Sequence, residues 1–441
     1  ALAGHPATMA YGLYAASVLW LWRTIARWRT HGFRVALPGA VAGAIPFPLG
    51  LALAGVQLLP TLELMPLTVR AAPGFSFVAT GFAPHELTGL FLRDGFGGAA
   101  PLYLGVVAMG LALSSLLSRR SAGGLRGFWL TIAAVSMLVS LGGQSFLFDL
   151  LYVVVPVFRL FRQQERITLL VTIAVAALAA EGADGLCRSW CLDATRRAVR
   201  AIVPYTAGLG IALALAGVVM AGLPLKDQLV TWGAAERDAW SWLVLMYLAA
   251  AGLLALWYRR ATPPPVWMAL VCGVLVLDLF SAHPNFNVRA APAADPYAMP
   301  ALLDNVIDDR NRPFRVSTEG LLPADGNEGL LTGLDDIVGS TPLQVQLFAD
   351  LQTAEQRHEL TELQRLALLD VRYVVTKRDF PPADGRFSLL GREGDLRLYR
   401  LSDDATLSRA WLVHAAVLVS PQNELPTLGT VDFRSTVVVT E

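Results

Sequence analysis

The chain has 441 residues, of which 54% are hydrophobic and 16% are charged, and its mean hydropathy is +0.50. Soluble globular proteins carry about 25% charged residues, so this composition excludes a wholly soluble protein. The formal net charge is zero, but residues 1–281 hold 20 basic and 12 acidic residues, whereas residues 282–441 hold 15 and 23. This asymmetry predicts a membrane domain over 1–281, a linker over 282–300 and a water-soluble domain over 301–441. It also argues against nucleic acid as a partner.

The chain begins Ala-Leu-Ala-Gly-His, and its first apolar run is already under way at residue 1. We therefore expect a fragment whose N-terminal part is missing. The three cysteines, Cys187, Cys191 and Cys272, predict neither a disulfide framework nor a zinc site, because a zinc site needs more ligands at closer spacing.

Eight apolar stretches follow one another in the first domain. They cover residues 3–22, 36–59, 101–117, 127–142, 167–186, 201–223, 240–258 and 264–281. About 20 apolar residues in a helix can cross a bilayer, so the pattern predicts an all-α bundle of about eight transmembrane helices. The second stretch contains Pro38, Pro46 and Pro48, and we expect it to be kinked or broken. The apolar segment 145–158 is too short to span, and we expect it to lie along the outer surface or to dip in and return.

Basic residues alternate between the connections of this bundle. Four connections hold 13 basic residues and one acid, Asp193: they carry Arg23, Arg27, Arg29 and Arg34; Arg119, Arg120 and Arg126; Arg188, Arg196, Arg197 and Arg200; and Arg259 and Arg260. The alternate connections (61–100, 143–166 and 224–239) hold 7 basic and 8 acidic residues. Because basic loops stay in the cytoplasm, the pattern predicts a multi-pass protein of a cytoplasmic membrane with residues 282–441 on the extracytoplasmic side.

The remaining residues predict a small α+β domain. Alternation and β-branched content predict strands at 314–317, 371–376, 396–401, 410–419 and 435–440. Leucines near helical spacing predict one helix within 343–369.

Motifs of soluble enzymes are missing from the chain: it has no phosphate-binding loop of the Walker type, no nucleophile elbow and no HExxH motif. The candidate polar residues lie instead in connections predicted to face outward. His5 is either an interfacial hydrogen-bonding group, which we favour, or a catalyst. Glu63 could orient a sugar hydroxyl or a cation, or it could cap the following turn. Asp94 opens a glycine-rich segment that could admit a ligand or simply make a turn.

The strongest candidate is a cluster of three arginines within eight residues, Arg159, Arg162 and Arg166. Guanidinium groups bind phosphate oxygens in bidentate fashion, so a lipid-linked phosphate at the outer leaflet is a suitable partner. The alternative is pairing with phospholipid head groups or with Glu165 and Asp149.

Several short motifs resemble the YfhO-like family of bacterial multi-spanning membrane proteins, and they occur in a consistent order along nearly the whole chain. They are Leu2-Ala-Gly-His-Pro6, Gln57-Leu-Leu-Pro-Thr-Leu-Glu63, Asp94-Gly-Phe-Gly97, Phe158-Arg-Leu-Phe-Arg162-Gln-Gln-Glu-Arg166, Gly333-Leu-Asp-Asp-Ile-Val-Gly-Ser-Thr-Pro342, Leu368-Leu-Asp-Val-Arg-Tyr-Val-Val375 and Ser408-Arg-Ala-Trp-Leu-Val413. The resemblance implies a glycosyltransferase of the C-type membrane fold. Such an enzyme moves a sugar from a polyprenyl-phosphate carrier to an envelope polymer, such as teichoic acid, outside the bacterial cytoplasmic membrane.

The resemblance also implies a catalytic acid in the first outer loop, which would precede Ala1. We therefore expect the general base upstream of this chain, with Arg159, Arg162 and Arg166 holding the departing lipid phosphate. His5, Glu63 and Asp94 would line the sugar or acceptor pocket, with a divalent cation as an optional cofactor. Two alternatives stay open: a non-catalytic scaffold subunit of a membrane complex, and a lipid or glycan transporter. A transporter would favour buried charges and inverted repeats, and no repeat is visible.

Overall fold

The computed structural model describes residues 6–93, 102–116, 125–188, 234–282, 297–309, 313–323, 327–339, 343–380 and 385–440. The chain divides into two units. The membrane unit consists of Ala1–Pro60 and Pro73–Val288, and the tail unit consists of Thr61–Ala72 and Arg289–Glu441.

Helices make up most of the described part of residues 6–282. They are α1 (Pro6–His31), α2 (Phe33–Ala44), α3 (Pro46–Leu64), α4 (Phe75–Val78), α5 (Val106–Ser115), α6 (Arg126–Ser140), α7 (Phe146–Val154), α8 (Thr168–Arg188), α9 (Ala234–Arg259) and α10 (Pro264–Ala282). One-turn or two-turn 3-10 helices lie at Met65–Leu67, Pro84–Leu90, Gly142–Gln144, Pro156–Arg159 and Gln164–Ile167.

Four described helical segments are long and apolar enough to cross a membrane, which indicates a membrane protein. They are Phe33–Leu67, Gln164–Arg188, Ala239–Arg259 and Pro264–Ala282, and they correspond to the predicted spans 36–59, 167–186, 240–258 and 264–281. Where spans were predicted at 101–117 and 127–142, the structure has the shorter apolar helices Val106–Ser115 and Arg126–Ser140. The stretch 3–22 lies mostly in α1, which is not among the four. The stretch 201–223 lies outside the described residues.

The second apolar stretch, expected to be kinked or broken, is divided between two helices. Helix α2 ends at Ala44 and α3 begins at Pro46, while Ile45 between them keeps helical angles (φ −54°, ψ −42°). Proline has no N–H to donate, so Pro46 and Pro48 fit the first turn of a helix, where the N–H groups have no partner in any case. The two helices therefore follow each other through a single residue and not through a loop.

Helix α8 is the central element of the membrane unit. Half of its most apolar window is buried, compared with 6% for the window in Phe33–Leu67. One side of α8 packs against α5, α9 and α10, and the other side packs against α1 and α6. Gly182 allows the close contact with α5, because a Cβ at that position would overlap the carbonyl oxygen of Leu111. The exposed apolar side chains of α2 and α3 suit contact with lipid.

The tail unit is a small α+β structure. Its five-stranded sheet has the order β2-β1-β3-β5-β4, in which β1 pairs in parallel with β2 and β3, and β5 pairs antiparallel with β3 and β4. A separate parallel pair is formed by β6 and β7. The strands are β1 (Arg315–Ser317), β2 (Asp335–Asp336), β3 (Val371–Thr376), β4 (Phe387–Glu393), β5 (Leu396–Leu401), β6 (Ala415–Val419) and β7 (Thr436–Thr440). The helices are α11 (Asp304–Ile307), α12 (Gly329–Thr332), α13 (Gln346–Thr353), α14 (Glu362–Leu368) and α15 (Glu424–Leu428).

Both faces of the central strand β3 are buried. Tyr373 and Val375 belong to one apolar cluster, and Val374 belongs to the cluster on the other face. A strand that is buried on both faces needs apolar side chains on both, which explains the nearly continuous apolar run in β3.

The range 343–369 is helical as predicted, but it is not one continuous helix. Two helices, α13 and α14, occupy this range. A continuous helix is prevented at His358, whose φ of 59° lies in the left-handed region that ends a helix. Thr361 then starts α14 anew, since its hydroxyl accepts the N–H of Gln364 and the Gln364 side chain accepts the N–H of Thr361.

Candidate functional site

The arginine-rich segment 159–166 is fastened to the chain just after the short helix α4 by two of its backbone N–H groups. The N–H of Gln163 donates to the Thr80 hydroxyl, and the N–H of Gln164 donates to the Thr80 carbonyl oxygen, both at 2.8 Å. Gln163 adopts a left-handed conformation with φ 65°, which is uncommon for a residue other than glycine. The contacts with Thr80 hold the chain in this conformation.

Gln164 is the anchor of the segment. Its side chain is fully buried; Oε1 accepts the Tyr11 hydroxyl at 2.6 Å, and Nε2 donates to the carbonyl oxygens of Val78 (2.9 Å) and Phe161 (2.7 Å). These bonds join α1, the end of α4 and the arginine segment. Sequence reasoning did not single out Gln164, because a glutamine beside two arginines carries no local signal of burial.

The three arginines lie in different surroundings. Arg159 donates from Nε to the carbonyl oxygen of Tyr152 (2.9 Å) and from a terminal nitrogen to that of Val153 (3.0 Å). Both carbonyls belong to the last turn of α7, where they have no partner within the helix. Arg162 is exposed, with its guanidinium carbon 5.4 Å from the ring centroid of Phe77. Arg166 donates from Nε (3.1 Å) and a terminal nitrogen (2.6 Å) to Oε1 of Gln163.

The three arginines were expected to act together, but they differ in exposure and in their hydrogen bonds. Arg159 and Arg162 are exposed, whereas Arg166 is half-buried and engaged by the neighbouring turn. Within the described part of the chain, no ion pair joins any of the three to Glu165 or Asp149. The geometry therefore offers two exposed guanidinium groups for an anion and assigns Arg166 to the support of the turn.

The other predicted site residues are Glu63, His5 and Asp94. Glu63 is exposed in the last turn of α3, belongs to the tail unit and makes no hydrogen bond or ion pair with any described residue. His5 and Asp94 lie outside the described residues. Among the residues that the structure describes, no group of three or more His, Cys, Asp or Glu could hold a metal ion.

A buried carboxylate at the end of α10 forms a second polar centre. Asp278 is fully buried and accepts hydrogen bonds from the Tyr103 hydroxyl (2.6 Å), the Val106 N–H (2.9 Å) and the Trp242 indole (3.2 Å). Val106 is the first residue of α5, where a carboxylate also interacts favourably with the helix dipole. The three donors account for the burial of Asp278, which joins α5, α9 and α10. An aspartate alone in an apolar run was its only signal in the sequence.

An apolar cavity of about 300 Å³ lies among the same helices and α8. Its walls include Val107, Leu111, Leu186, Leu253, Trp267 and Val271. Hydrocarbon walls of this kind suit an alkyl chain and offer little to a sugar.

In the tail unit, Asp336 accepts hydrogen bonds from the N–H and the hydroxyl of Thr318 and from the N–H of Val338. Burial raises the pKa of the Asp336 carboxyl, and the nearby Glu328 raises it further, although these hydrogen bonds oppose the shift.

No protein-family model, curated protein or solved structure matches the chain.

Proposed function

We propose that this chain acts as a membrane glycosyltransferase that moves a sugar from a polyprenyl-phosphate carrier to an envelope acceptor. The reaction would take place on the extracytoplasmic side of the bacterial cytoplasmic membrane. One observation carries the proposal: Arg159 and Arg162 are exposed, lie three residues apart and have no acidic partner among the described residues. They stand on a segment that the buried Gln164 holds in place.

The chemistry of the two arginines supports a phosphate ligand. A guanidinium group has five N–H donors, and Arg159 uses two of them on the end of α7, so three are left for a ligand. Arg162 uses none on a described residue. Guanidinium groups in this position would bind the carrier phosphate and stabilise the charge that grows on it as it leaves.

The proposed reaction is a direct displacement with inversion. An acceptor hydroxyl attacks the anomeric carbon, the bond from that carbon to the phosphate oxygen breaks, and the phosphate leaves with the bonding electron pair. The family resemblance implies that a carboxylate of the enzyme takes the proton of the hydroxyl. His5 and Asp94 are our candidates for contacts with the sugar or the acceptor, with a divalent cation as an optional component. Arg166 is half-buried, and it supports the turn at Gln163 through two hydrogen bonds to the Gln163 side chain.

A non-catalytic scaffold is the second candidate, and one observation favours it. One face of the parallel pair β6–β7 exposes the apolar side chains of Leu418, Val437 and Val439, and an exposed apolar surface of this kind is typical of a docking site. A transporter has less support, because the buried Asp278 is satisfied by three donors of the protein itself and is not left open to a passing ion.

The test is transfer of a radiolabelled sugar from a polyprenyl-phosphate carrier by the full-length protein in membranes. Arg162→Ala is compared with Arg29→Ala, which removes an exposed arginine from the last turn of α1. A charge-assisted hydrogen bond contributes about 1.5–3 kcal/mol, so we expect transfer to fall by roughly 10- to 100-fold in Arg162→Ala and to stay unchanged in Arg29→Ala. Equal transfer in both variants would refute the site. No transfer by the wild type with a panel of donor sugars would favour the scaffold.

A further inference from the structure

Helix α7 exposes an apolar face, which the exposed side chain of Asp149 borders on one side. The exposed fractions of Phe146, Leu150, Val153 and Val154 are 75, 55, 66 and 64%, whereas Phe148 is fully buried. The four exposed positions follow the spacing i, i+4, i+7 and i+8, so they lie along one side of the helix. Large apolar side chains gathered in this way mark a contact surface and not an ordinary water-facing surface.

The opposite face of α7 packs within the membrane unit, and both ends of the helix are capped by hydrogen bonds. Phe148 packs with its ring centroid 6.1 Å from that of Phe75 and 6.4 Å from that of Phe158. Ser145 caps the first turn by accepting the N–H of Leu147 at 3.3 Å, and Arg159 covers two carbonyl oxygens of the last turn. Both ends of the helix therefore have hydrogen-bond partners, and its exposed face is a fixed part of the membrane unit's surface.

The length of α7 limits what can cover this face. Nine residues at 1.5 Å per residue extend about 13 Å, less than half of the roughly 30 Å hydrocarbon core, so the helix cannot cross a bilayer. A short helix that is apolar on one side fits the boundary between acyl chains and head groups.

Charge supports lipid as the partner. The exposed guanidinium groups of Arg159 and Arg162 follow directly on the C-terminal end of α7, and the guanidinium carbon of Arg159 lies 5.6 Å from the ring centroid of Tyr152. Cationic and aromatic groups next to an apolar face match the phosphates and acyl chains of a bilayer surface.

We infer that α7 lies in the plane of the outer leaflet, with Phe146, Leu150, Val153 and Val154 among the lipid acyl chains. Arg159 and Arg162 then stand at the depth of the head-group phosphates. The inference rests on the orientation given under the proposed function, but it holds equally for an enzyme and for a scaffold, because no step of it involves sugar transfer.

Site-directed spin labelling tests this placement. In the full chain with its three cysteines replaced by serine, a nitroxide is attached to Leu150→Cys, Val153→Cys or, as the water-facing control, Leu412→Cys of the tail unit, which is 88% exposed. The protein is placed in nanodiscs of phosphatidylcholine and phosphatidylglycerol. Collisions of the label are then measured with oxygen, which concentrates in lipid, and with a water-soluble nickel chelate.

We expect the labels at 150 and 153 to collide several-fold more with oxygen than with the nickel chelate, and the label at 412 to show the reverse. A predominance of nickel collisions at 150 and 153 would place the face in water, and low collision with both reagents would mean that protein covers it; either result would overturn the inference. Two labelled positions are used so that misfolding of one variant does not decide the outcome. The transfer assay plays no part, so failure of the proposed activity and failure of this placement are distinguishable.

Discussion

Replacing Gln164 by leucine tests whether this buried amide anchors the arginine segment. Leucine has a similar size, but it leaves the Tyr11 hydroxyl without its acceptor and the carbonyl oxygens of Val78 and Phe161 without the amide donor. A buried polar group that loses its partner costs about 1–3 kcal/mol. The hydroxyl and the Val78 carbonyl are the more deeply buried of the three groups. We therefore expect the free energy of unfolding to fall by about 3 kcal/mol.

The assay is titration of the purified full chain with sodium dodecyl sulfate in mixed micelles, followed by circular dichroism. Gln144→Leu is the matched control, since Gln144 is exposed and its amide reaches the Phe82 carbonyl oxygen only at 3.5 Å. We expect the control to change stability by less than about 0.5 kcal/mol. Tyr11→Phe alone should destabilise the protein by about 1 kcal/mol, and it should cause no further loss when combined with Gln164→Leu. Equal stability of the Gln164→Leu and Gln144→Leu variants would show that Gln164 is not an anchor. Full additivity of the Tyr11→Phe and Gln164→Leu losses in stability would show that the two side chains do not act through their shared hydrogen bond.

Three further predictions can be checked by the same unfolding measurement. Gly182→Ala should destabilise the protein by about 1–3 kcal/mol, because its Cβ would overlap the backbone of α5, whereas Gly252→Ala, with open space around it, should be neutral or slightly stabilising. Asp278→Asn replaces one of the two carboxylate oxygens, which together accept three hydrogen bonds, by an NH2 group that cannot accept the N–H or O–H facing it. We therefore expect the free energy of unfolding to fall by about 2 kcal/mol, whereas Asp184→Asn removes only an exposed ion pair and should cost less than about 0.5 kcal/mol. The pKa of the Asp336 carboxyl is raised in the folded state, so the folded protein holds this proton more tightly than the unfolded chain does. The contribution of Asp336 to the free energy of unfolding is therefore most favourable below its unfolded pKa of about 4, and it is lost as the pH rises through the raised value. The stability of the wild type minus that of Asp336→Asn should therefore fall as the pH rises above about 4; a flat or rising difference would contradict the assignment.

Features that depend on neighbouring residues could be predicted from the sequence. The start of a new helix at Pro46 follows from the missing N–H of proline, and strands β3 and β5 follow from their alternating and β-branched residues. The edge strand β4 was not predicted, although it pairs with β5 along its length. Its glycine and charged residues carry little strand signal, and its pairing comes from the adjacent strand.

Features that depend on distant contacts could not be predicted. The sequence places Arg159, Arg162 and Arg166 in one cluster, but the role of Arg166 depends on the left-handed turn at Gln163, which Thr80 holds from more than 80 residues away. The donors of Asp278 are likewise far away: Trp242 is 36 residues earlier and Tyr103 is 175 residues earlier. Periodicity reports which side of a helix is buried, but it does not report which residue lies opposite.

We propose that the exposed guanidinium groups of Arg159 and Arg162 recognise the phosphate of a lipid carrier. This is tested by measuring the affinity of the protein in nanodiscs for polyprenyl phosphate and for the uncharged polyprenol. We expect Arg162→Ala to weaken binding of the phosphate by about tenfold or more, Arg29→Ala to leave it unchanged, and polyprenol to bind weakly to all three proteins. Equal affinity of the wild type and Arg162→Ala for polyprenyl phosphate, or equal affinity of the wild type for the phosphate and the alcohol, would show that Arg162 does not recognise the phosphate.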